Sequence, residues 1–533
     1  MTEDNSLQIA HWADGVARRI IAEKGEKDEY VCAAGITPSG VIHIGNFREI
    51  ITVDLVVRAL RRVGKKVRFL YSWDDYDVFR KVPKGMPAQE MLHASLRKPI
   101  VDVPDPFGTE ESYARHHEVV IENDIKKVGI VPQFLYQANK YRAGDYVSGI
   151  KKALQKSVEI KAILDAYRKE PLPVEWYPLS GYCPTCNHDK VSFSDYDGED
   201  SIKMHCEECT ETFDVDIKNA PFLKLPWRVD WPMRWAHESV DFEPGGKDHS
   251  TQGGSYTTAQ EIVKLYDWTA PTYQMYDFVR VKGTGGKISS SAGGVVTLHD
   301  CMRVYEPEMI RWLFAGTRAN AEFAISFDTD VIKLYEDFDR CERIYFGHES
   351  VDEKEKTKQA RIYELSCVEE VPETLPFQPS FRHLTNVLQV FSLDIEKTSS
   401  YYKEHYADQM KTEHDKHRLI RRAECAKNWL SEFAPEQFTF QIQTTVDAET
   451  VAELAENQRQ ALRDVRVALL EKEWNDKELH EYFYTIIEKN GLSVKDFFKA
   501  CYTVLIGKTK GPQLASFILT IGQDRVAELL KEI

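Results

Sequence analysis

Tyr30–Asn46 reads YVCAAGITPSGVIHIGN. Its first five residues are small and apolar, as the end of a buried strand is. Gly35-Ile-Thr-Pro-Ser-Gly40 then breaks the strand, because a proline between two glycines favours a turn. From Gly45 to Arg62 the apolar positions Ile50, Val53, Leu55, Val56, Val57 and Leu60 predict a largely buried helix, ending at Gly64. Lys65–Trp73 reads as a second strand. Strand, helix and strand of these lengths make a βαβ unit, so the fold class is α/β with a parallel sheet and a ligand at its carboxyl edge.

At about 150 residues per domain, the 533 residues imply three or four domains. Hydrophobic residues make up 42% and charged residues 29%, a folded composition that excludes global disorder. No apolar run approaches about 18 residues and the amino terminus lacks a secretion-signal layout, so no membrane segment is expected and the expected address is cytoplasmic. Ten cysteines suit a reducing compartment rather than a disulfide framework. The net charge of −16 argues against a general nucleic-acid coater, although local clusters decide such binding. Lys151, Lys152, Lys156 and Lys161 form one basic cluster, and Lys416, Arg418, Arg421, Arg422 and Lys427 another. A solvated helix face is the commoner explanation of either.

Outward from the βαβ unit, residues 1–98 read as the first half of the sheet domain. Residues 99–221 are proline-rich and irregular, and read as an insertion holding a helix near 145–168 and a cysteine module at about 176–216. The sheet is expected to resume over 222–300, with strands at Phe222–Leu225 and Tyr273–Val281. Helices over 301–360 follow, and residues 361–533 read as a separate all-helical domain.

Cys183-Pro-Thr-Cys186 and Cys206-Glu-Glu-Cys209 are separated by nineteen residues. Two such knuckles present four thiolates to one zinc ion, and four ligands close its coordination sphere, so the expected role is structural. His188 and His205 are reserve ligands. His43-Ile-Gly-Asn46 opens the first helix, where free N–H groups and a partial positive charge suit polyphosphate. Alone, it is more simply a buried histidine at a helix start. Lys287-Ile-Ser-Ser-Ser291 lies in a glycine-flanked loop able to close over departing pyrophosphate. Gly245–Gly254, GGKDHSTQGG, offers backbone amides and Asp248 for a ribose or an amino group, and follows the tryptophan-rich Pro226–Trp235.

These pieces, in this order, resemble the class I aminoacyl-tRNA synthetases: His43–Asn46 is similar to their HIGH element and Lys287–Ser291 to their KMSKS element. The finer resemblance is to the class I lysyl-tRNA synthetase family, through GITPSGVIHIGN, YSWDDYDVFRKVP, WRVDWPMRW, GGKDHSTQGG and the cysteine module, and it covers the whole chain. The resemblance implies a Rossmann-type catalytic domain with a zinc-bearing insertion, stem-contact helices, and an all-α anticodon-binding domain. It implies ATP-dependent ligation of L-lysine to tRNA(Lys), with Mg2+ accompanying ATP and one structural Zn2+ on Cys183, Cys186, Cys206 and Cys209.

By the same resemblance His43, Asn46 and Lys287 are catalytic. Ser39, Gly40, His43, Gly45, Asn46 and Asp248 would bind ATP, together with Lys287, Ile288, Ser289, Ser290 and Ser291. Gly35, Thr37, Trp227, His249 and Tyr276 would form the lysine pocket, holding the ammonium by polar and aromatic groups, with Asp74, Asp75 and Asp77 in reserve. The family has a lysine where this chain has Ser290, so Lys287 acts without it, with Lys282 as a candidate helper. The Lys416–Lys427 cluster would hold anticodon phosphates, and a chain ending near Gly347 would keep lysine activation. A monomer is favoured. A ligase for another amino acid, a silent RNA-binding relative and a non-tRNA nucleotidyltransferase are the alternatives.

Overall fold

Val31 and Ala33 face one side of the first strand while Tyr30, Cys32 and Ala34 face the other, and all five are buried. A strand covered on both faces belongs at the centre of a parallel sheet. In the computed structural model, which describes residues 9–247, 249–251, 253–283 and 295–533, it does. The strands are β1 (Glu29–Ile36), β2 (Lys66–Trp73), β3 (Gln133–Tyr136), β4 (Phe242–Gly246) and β5 (Thr272–Tyr276). Their order is β5-β4-β1-β2-β3, all parallel. The order reverses between β1 and β4, and such a switch point opens a crevice beyond the carboxyl ends of the strands.

Helix α1 (Ile44–Arg62) connects β1 to β2 and is buried nearly all round, because it is packed between the sheet and the helix Pro307–Ala315. Its Asp54 carboxylate is buried and meets the fully buried Arg311 at 2.6 Å. Helix α2 (Trp227–Glu238) covers the opposite face of the sheet with Trp231 and Trp235. The α/β class and the βαβ unit stand as expected. Among the described residues no helix is long and apolar enough to cross a membrane.

Four expectations are corrected. Phe222–Leu225 does not rejoin the sheet: Leu223–Lys224 pairs with Ser180–Gly181 at the edge of the cysteine module. The sheet resumes at β4, whose FEPGG sequence carries little strand signal. The 99–221 segment contributes β3 to the sheet, so it is not wholly an insertion. Tyr273–Val281 is two strands: β5 ends at Tyr276, and β6 (Val279–Lys282) pairs with β7 (Phe323–Ser326). The helix near 145–168 is a pair, Val147–Gln155 and Ser157–Asp165. Its four lysines each meet a carboxylate: Asp200, Asp267, Glu159 and Asp165.

The helical region is not one body beginning at 361. Ile362, Leu384 and Trp429 belong to the same hydrophobic cluster as Cys32 and Tyr71 of the sheet, whereas a second cluster gathers Leu454 to Leu530. A cut near Gly347 would therefore open the catalytic core itself. Helix α3 (Glu413–Glu432) carries the supposed phosphate-binding cluster, but Arg422 is fully buried and Arg418 nearly so. Arg422 bridges Asp339 at 2.9 Å and Glu306 at 2.5 Å, and Arg418 makes a two-pronged pair with Glu342 at 2.7 and 3.0 Å. These two cations are structural and are not free to meet RNA.

Arg422→Ala leaves the buried Glu306 and Asp339 without their nearest counter-charge, with only the longer contacts to Arg418 at 3.4 and 3.7 Å. The expected loss is about 3–5 kcal/mol of stability, read by urea unfolding. An unchanged transition with weakened RNA binding would instead assign Arg422 to an RNA surface.

Candidate active site and cysteine cluster

A cleft of about 930 Å³ lies at the carboxyl ends of β1, β4 and β5, where the strand order reverses. All five residues expected of the lysine pocket line it: Gly35, Thr37, Trp227, His249 and Tyr276. Ser39, Gly40, His43, Gly45 and Asn46 line the same cleft. Asp248 and Lys287, Ile288, Ser289, Ser290 and Ser291 fall outside the described residues.

His43 stands immediately before α1, and partial desolvation lowers its pKa from the ordinary value, so it is neutral at pH 7. The His43 N–H donates to Asn46 Oδ1 at 3.2 Å, which leaves the Asn46 NH2 as the group available to a ligand. Gly45 makes room for His43: a Cβ there would lie 2.8 Å from two atoms of the imidazole. The Ile44 N–H donates to Val296 O at 2.7 Å, and Phe327 N–H donates to Lys282 O at 2.7 Å. Both flanks of the 284–294 segment are thus tied to the fold, one of them to the amino end of α1. Lys282, the candidate helper, meets Asp328 at 3.1 Å and Asp330 at 2.5 Å.

The pocket's acidic groups differ in their partners. Asp74 meets Arg234 at 2.7 Å, and Asp77 meets Lys224 at 2.7 Å while accepting from the Thr37 hydroxyl at 3.2 Å. Burial opposes ionisation of Asp77, but Lys224 and Arg234 hold its pKa below the ordinary value. Asp75 is buried away from the cleft and accepts from the Ala138 N–H at 2.8 Å.

Glu49 is the group that sequence reasoning missed. It lines the cleft, accepting from the Gly35 N–H at 2.9 Å and the Tyr276 hydroxyl at 2.7 Å. No cation pairs with it among the described residues. Burial pushes its pKa up to about 8 despite both donors, with Glu243 and Asp74 adding repulsion. On sequence it is one of several polar positions in a largely apolar helix, with nothing local to single it out.

Trp227 is not a core residue. It is 36% exposed, stacks on Trp231 with centroids 5.2 Å apart, and lies under the Arg234 guanidinium at 5.5 Å. The Trp231 indole is fixed in turn by an N–H donated to Glu243 at 3.0 Å.

The four cysteines converge. Their sulfurs all lie within 4.8 Å of one another, with Cys183–Cys209 and Cys186–Cys206 each at 3.6 Å. Metal–thiolate bonds of about 2.3 Å in a tetrahedron give sulfur–sulfur edges of about 3.8 Å, so the cluster fits a metal ion. The strands Val191–Ser194, Ser201–Cys206 and Thr212–Asp216 carry two of the cysteines at their ends or turn. His205 instead bonds Thr212 and His188 faces Glu208, so neither joins the cluster.

Comparison with known proteins agrees in extent. Residues 10–369 match the family described as tRNA synthetases class I (K), and residues 387–533 match the anticodon binding domain. A lysine–tRNA ligase of Borreliella burgdorferi is 46% identical over 526 residues, covering 98% of this chain and 99% of its own. One from Thermococcus kodakarensis is 42% identical over 531 residues, covering 98% and 99%. Among solved structures, a glutamate-tRNA synthetase from Elizabethkingia anophelis aligns over 95% of this chain and 99% of its own, at 13% identity and a TM-score of 0.45.

The titration of Glu49 sets a stability test. Its carboxyl titrates near 4.5 when unfolded and near 8 when folded, so the folded state binds the extra proton between these values. Stability therefore falls as pH rises through that window and levels off above it. Glu49→Gln should match the parent protein near pH 5 and melt about a few degrees higher at pH 8.5. Parallel curves across this range would remove the perturbed carboxyl.

Proposed function

The chain belongs to the class I tRNA synthetase family, and we propose that it is a lysine–tRNA ligase. In the first step the carboxylate of L-lysine attacks the α-phosphate of ATP, forming lysyl-adenylate and releasing pyrophosphate. In the second, a terminal ribose hydroxyl of tRNA(Lys), the 2′ by family resemblance, takes the lysyl group and AMP leaves. No covalent enzyme intermediate is needed, so the work is positioning and charge stabilisation. Mg2+ bound with ATP would neutralise part of the phosphate charge.

The observation that carries the choice of substrate is Glu49, a carboxyl group with no cationic partner among the described residues, in the same cleft as Trp227 and Tyr276. Asp74 and Asp77 already have cationic partners, so Glu49 is the group a substrate ammonium would complete. We assign it the ε-ammonium, with the indole of Trp227 as wall. At the amino end of α1, the neutral His43 imidazole and the Asn46 amide face the α-phosphate, aided by the helix's free N–H groups. Ser39 and Gly40 border the nucleotide, and Asp248, Lys287 and the serines after it complete the ATP site. Zinc is the metal that suits four thiolates.

Pyrophosphate exchange tested with each amino acid in turn should respond to lysine alone. Glu49→Gln should raise the lysine KM roughly 10- to 100-fold, the scale of one charge-assisted hydrogen bond, with little change in the ATP KM. It should also erase the preference for lysine over norleucine; an equal loss for both would move Glu49 to the α-ammonium. Lys287→Ala should lower adenylate formation by about 10²–10³-fold with unchanged melting.

Metal analysis should find one zinc per chain. Cys183→Ser should lose that metal and unfold the module before the chemistry suffers, since ligand binding is folding energy there. Zinc-free protein of full stability would end that assignment.

A further inference from the structure

Trp227, Trp231, Arg234 and Trp235 stand three or four residues apart on α2, or a multiple of that, so they share one face of the helix. Trp227 lines the catalytic cleft, and Trp231 and Trp235 are buried behind it. The Trp231 ring carries Trp227 on its face, with planes 14° and centroids 5.2 Å apart. It also meets the ring of His249, another cleft residue, at 6.4 Å. Trp235 packs on Trp231 at 4.6 Å and on Tyr256 at 6.0 Å.

Neither backbone nor packing fixes this wall by itself. Pro232 has no N–H to give to the Arg228 carbonyl, so the first turn of α2, which bears Trp227, lacks one helical hydrogen bond. Behind the rings lies a cavity of about 30 Å³, bordered by Trp231, Arg234, Trp235 and Glu243. A well-packed interior leaves few voids of that size. The two buried indoles therefore have room to turn.

What holds them is Glu243 on β4. One of its carboxylate oxygens accepts from the Trp231 indole N–H at 3.0 Å, and the other from the Trp235 indole N–H at 2.5 Å. An indole only donates, so two indoles meeting on one group need two acceptor atoms there. A carboxylate has two, whereas a glutamine amide has one and turns a second donor toward the other ring. The carboxylate is buried, and burial raises its pKa against the pull of both indoles and of Arg234. An apolar side chain would fill the same space without that desolvation cost. Arg234, which lies 5.5 Å over the Trp227 ring, is held separately by Asp74 at 2.7 Å, Ser72 Oγ at 2.8 Å and Asp230 at 3.1 Å.

We propose that Glu243 is a positioning residue of the amino-acid pocket: by accepting from both indoles it sets the plane of Trp231, and through that ring the plane of Trp227 against the stem of the substrate side chain. Glu243 touches no substrate. The proposal rests on the reading of Trp227 as a wall of the lysine pocket. A ring already fixed in its bound orientation loses no freedom when the substrate arrives, so the benefit falls on lysine binding and not on ATP.

The test uses the full chain labelled with 5-fluorotryptophan, whose ten indoles give 19F signals assigned through Trp227→Phe, Trp231→Phe and Trp235→Phe. Glu243→Gln should move the Trp227 signal along with those of Trp231 and Trp235 before any substrate is added. In pyrophosphate exchange it should raise the lysine KM about tenfold and the ATP KM less than about twofold, within the range of one coupled contact. Trp231→Phe keeps a ring but removes the N–H, so it should show the same split, and it carries the test if Glu243→Gln fails to fold. Adding Glu243→Gln to Trp231→Phe should then raise the lysine KM no further, because both act through one ring. Trp235→Phe takes a donor from the same carboxylate but leaves the Trp231 bond, and should keep the lysine KM near the parent value.

An unmoved Trp227 signal or an unchanged lysine KM in Glu243→Gln would overturn the proposal. So would multiplying losses in the double variant, or equal losses for lysine and ATP, which mark general packing. If Trp227→Ala itself leaves the lysine KM unchanged, the reading of the pocket fails instead, while the 19F signals still decide whether Glu243 orients Trp227.

Discussion

Glu49 accepts one hydrogen bond from the end of β1 and another from the end of β5, and it stands on the helix that leaves β1. Three elements of the sheet domain therefore converge on one carboxylate at the crevice where strand order reverses. A reversal of strand order in an open parallel sheet opens such a crevice; what this chain adds is a carboxyl group there with two donors and, among the described residues, no cation. The cost of that arrangement is a carboxyl that prefers its proton. A ligand bringing positive charge would relieve that cost.

A second constraint binds the helices to the sheet. Arg418 and Arg422 on α3 face Glu306, Asp339 and Glu342, which belong to the segments following the catalytic domain. Nearby, the Trp429 indole N–H donates to Phe327 O at 3.0 Å, one residue beyond β7. Buried pairs of this kind contribute little net stability but penalise every alternative docking in which a charge loses its partner. They fix where α3 sits relative to β6 and β7, the strand pair beside the 284–294 segment.

Much of this was legible in the sequence, and the failures share a cause. The Tyr30–Asn46 stretch and the paired CxxC knuckles could be placed because each carries local turn or spacing information, and the five residues named by family resemblance all line the cleft. Phe242–Gly246 was missed because FEPGG has neither alternation nor β-branched residues; only its neighbours make it a strand. Gln133–Tyr136 is short and follows Pro132, which hides it as a strand. Arg418 and Arg422 looked like a solvent face because helical spacing does not reveal which side meets acidic partners more than 70 residues away in the chain. Glu49 was invisible for the same reason, since its significance lies in Gly35 and Tyr276. Local chemistry was readable; long-range charge pairing was not.

The strand order also has a consequence for the nascent chain. β1, β2 and β3 lie within the first 136 residues and can pair once these have emerged, but β1 must leave its other edge open until Phe242 arrives to pair with Cys32. Contacts of such sequence separation form late and slowly. During synthesis the half-sheet exposes an unpaired central edge while the cysteine module is being made, and the four cysteines can converge without waiting for β4. The crevice at the carboxyl ends of the strands is thus among the last features of the sheet domain to exist, and a ribosome stalled before β4 would display a folded half-domain with an open strand edge, a ready template for wrong pairing.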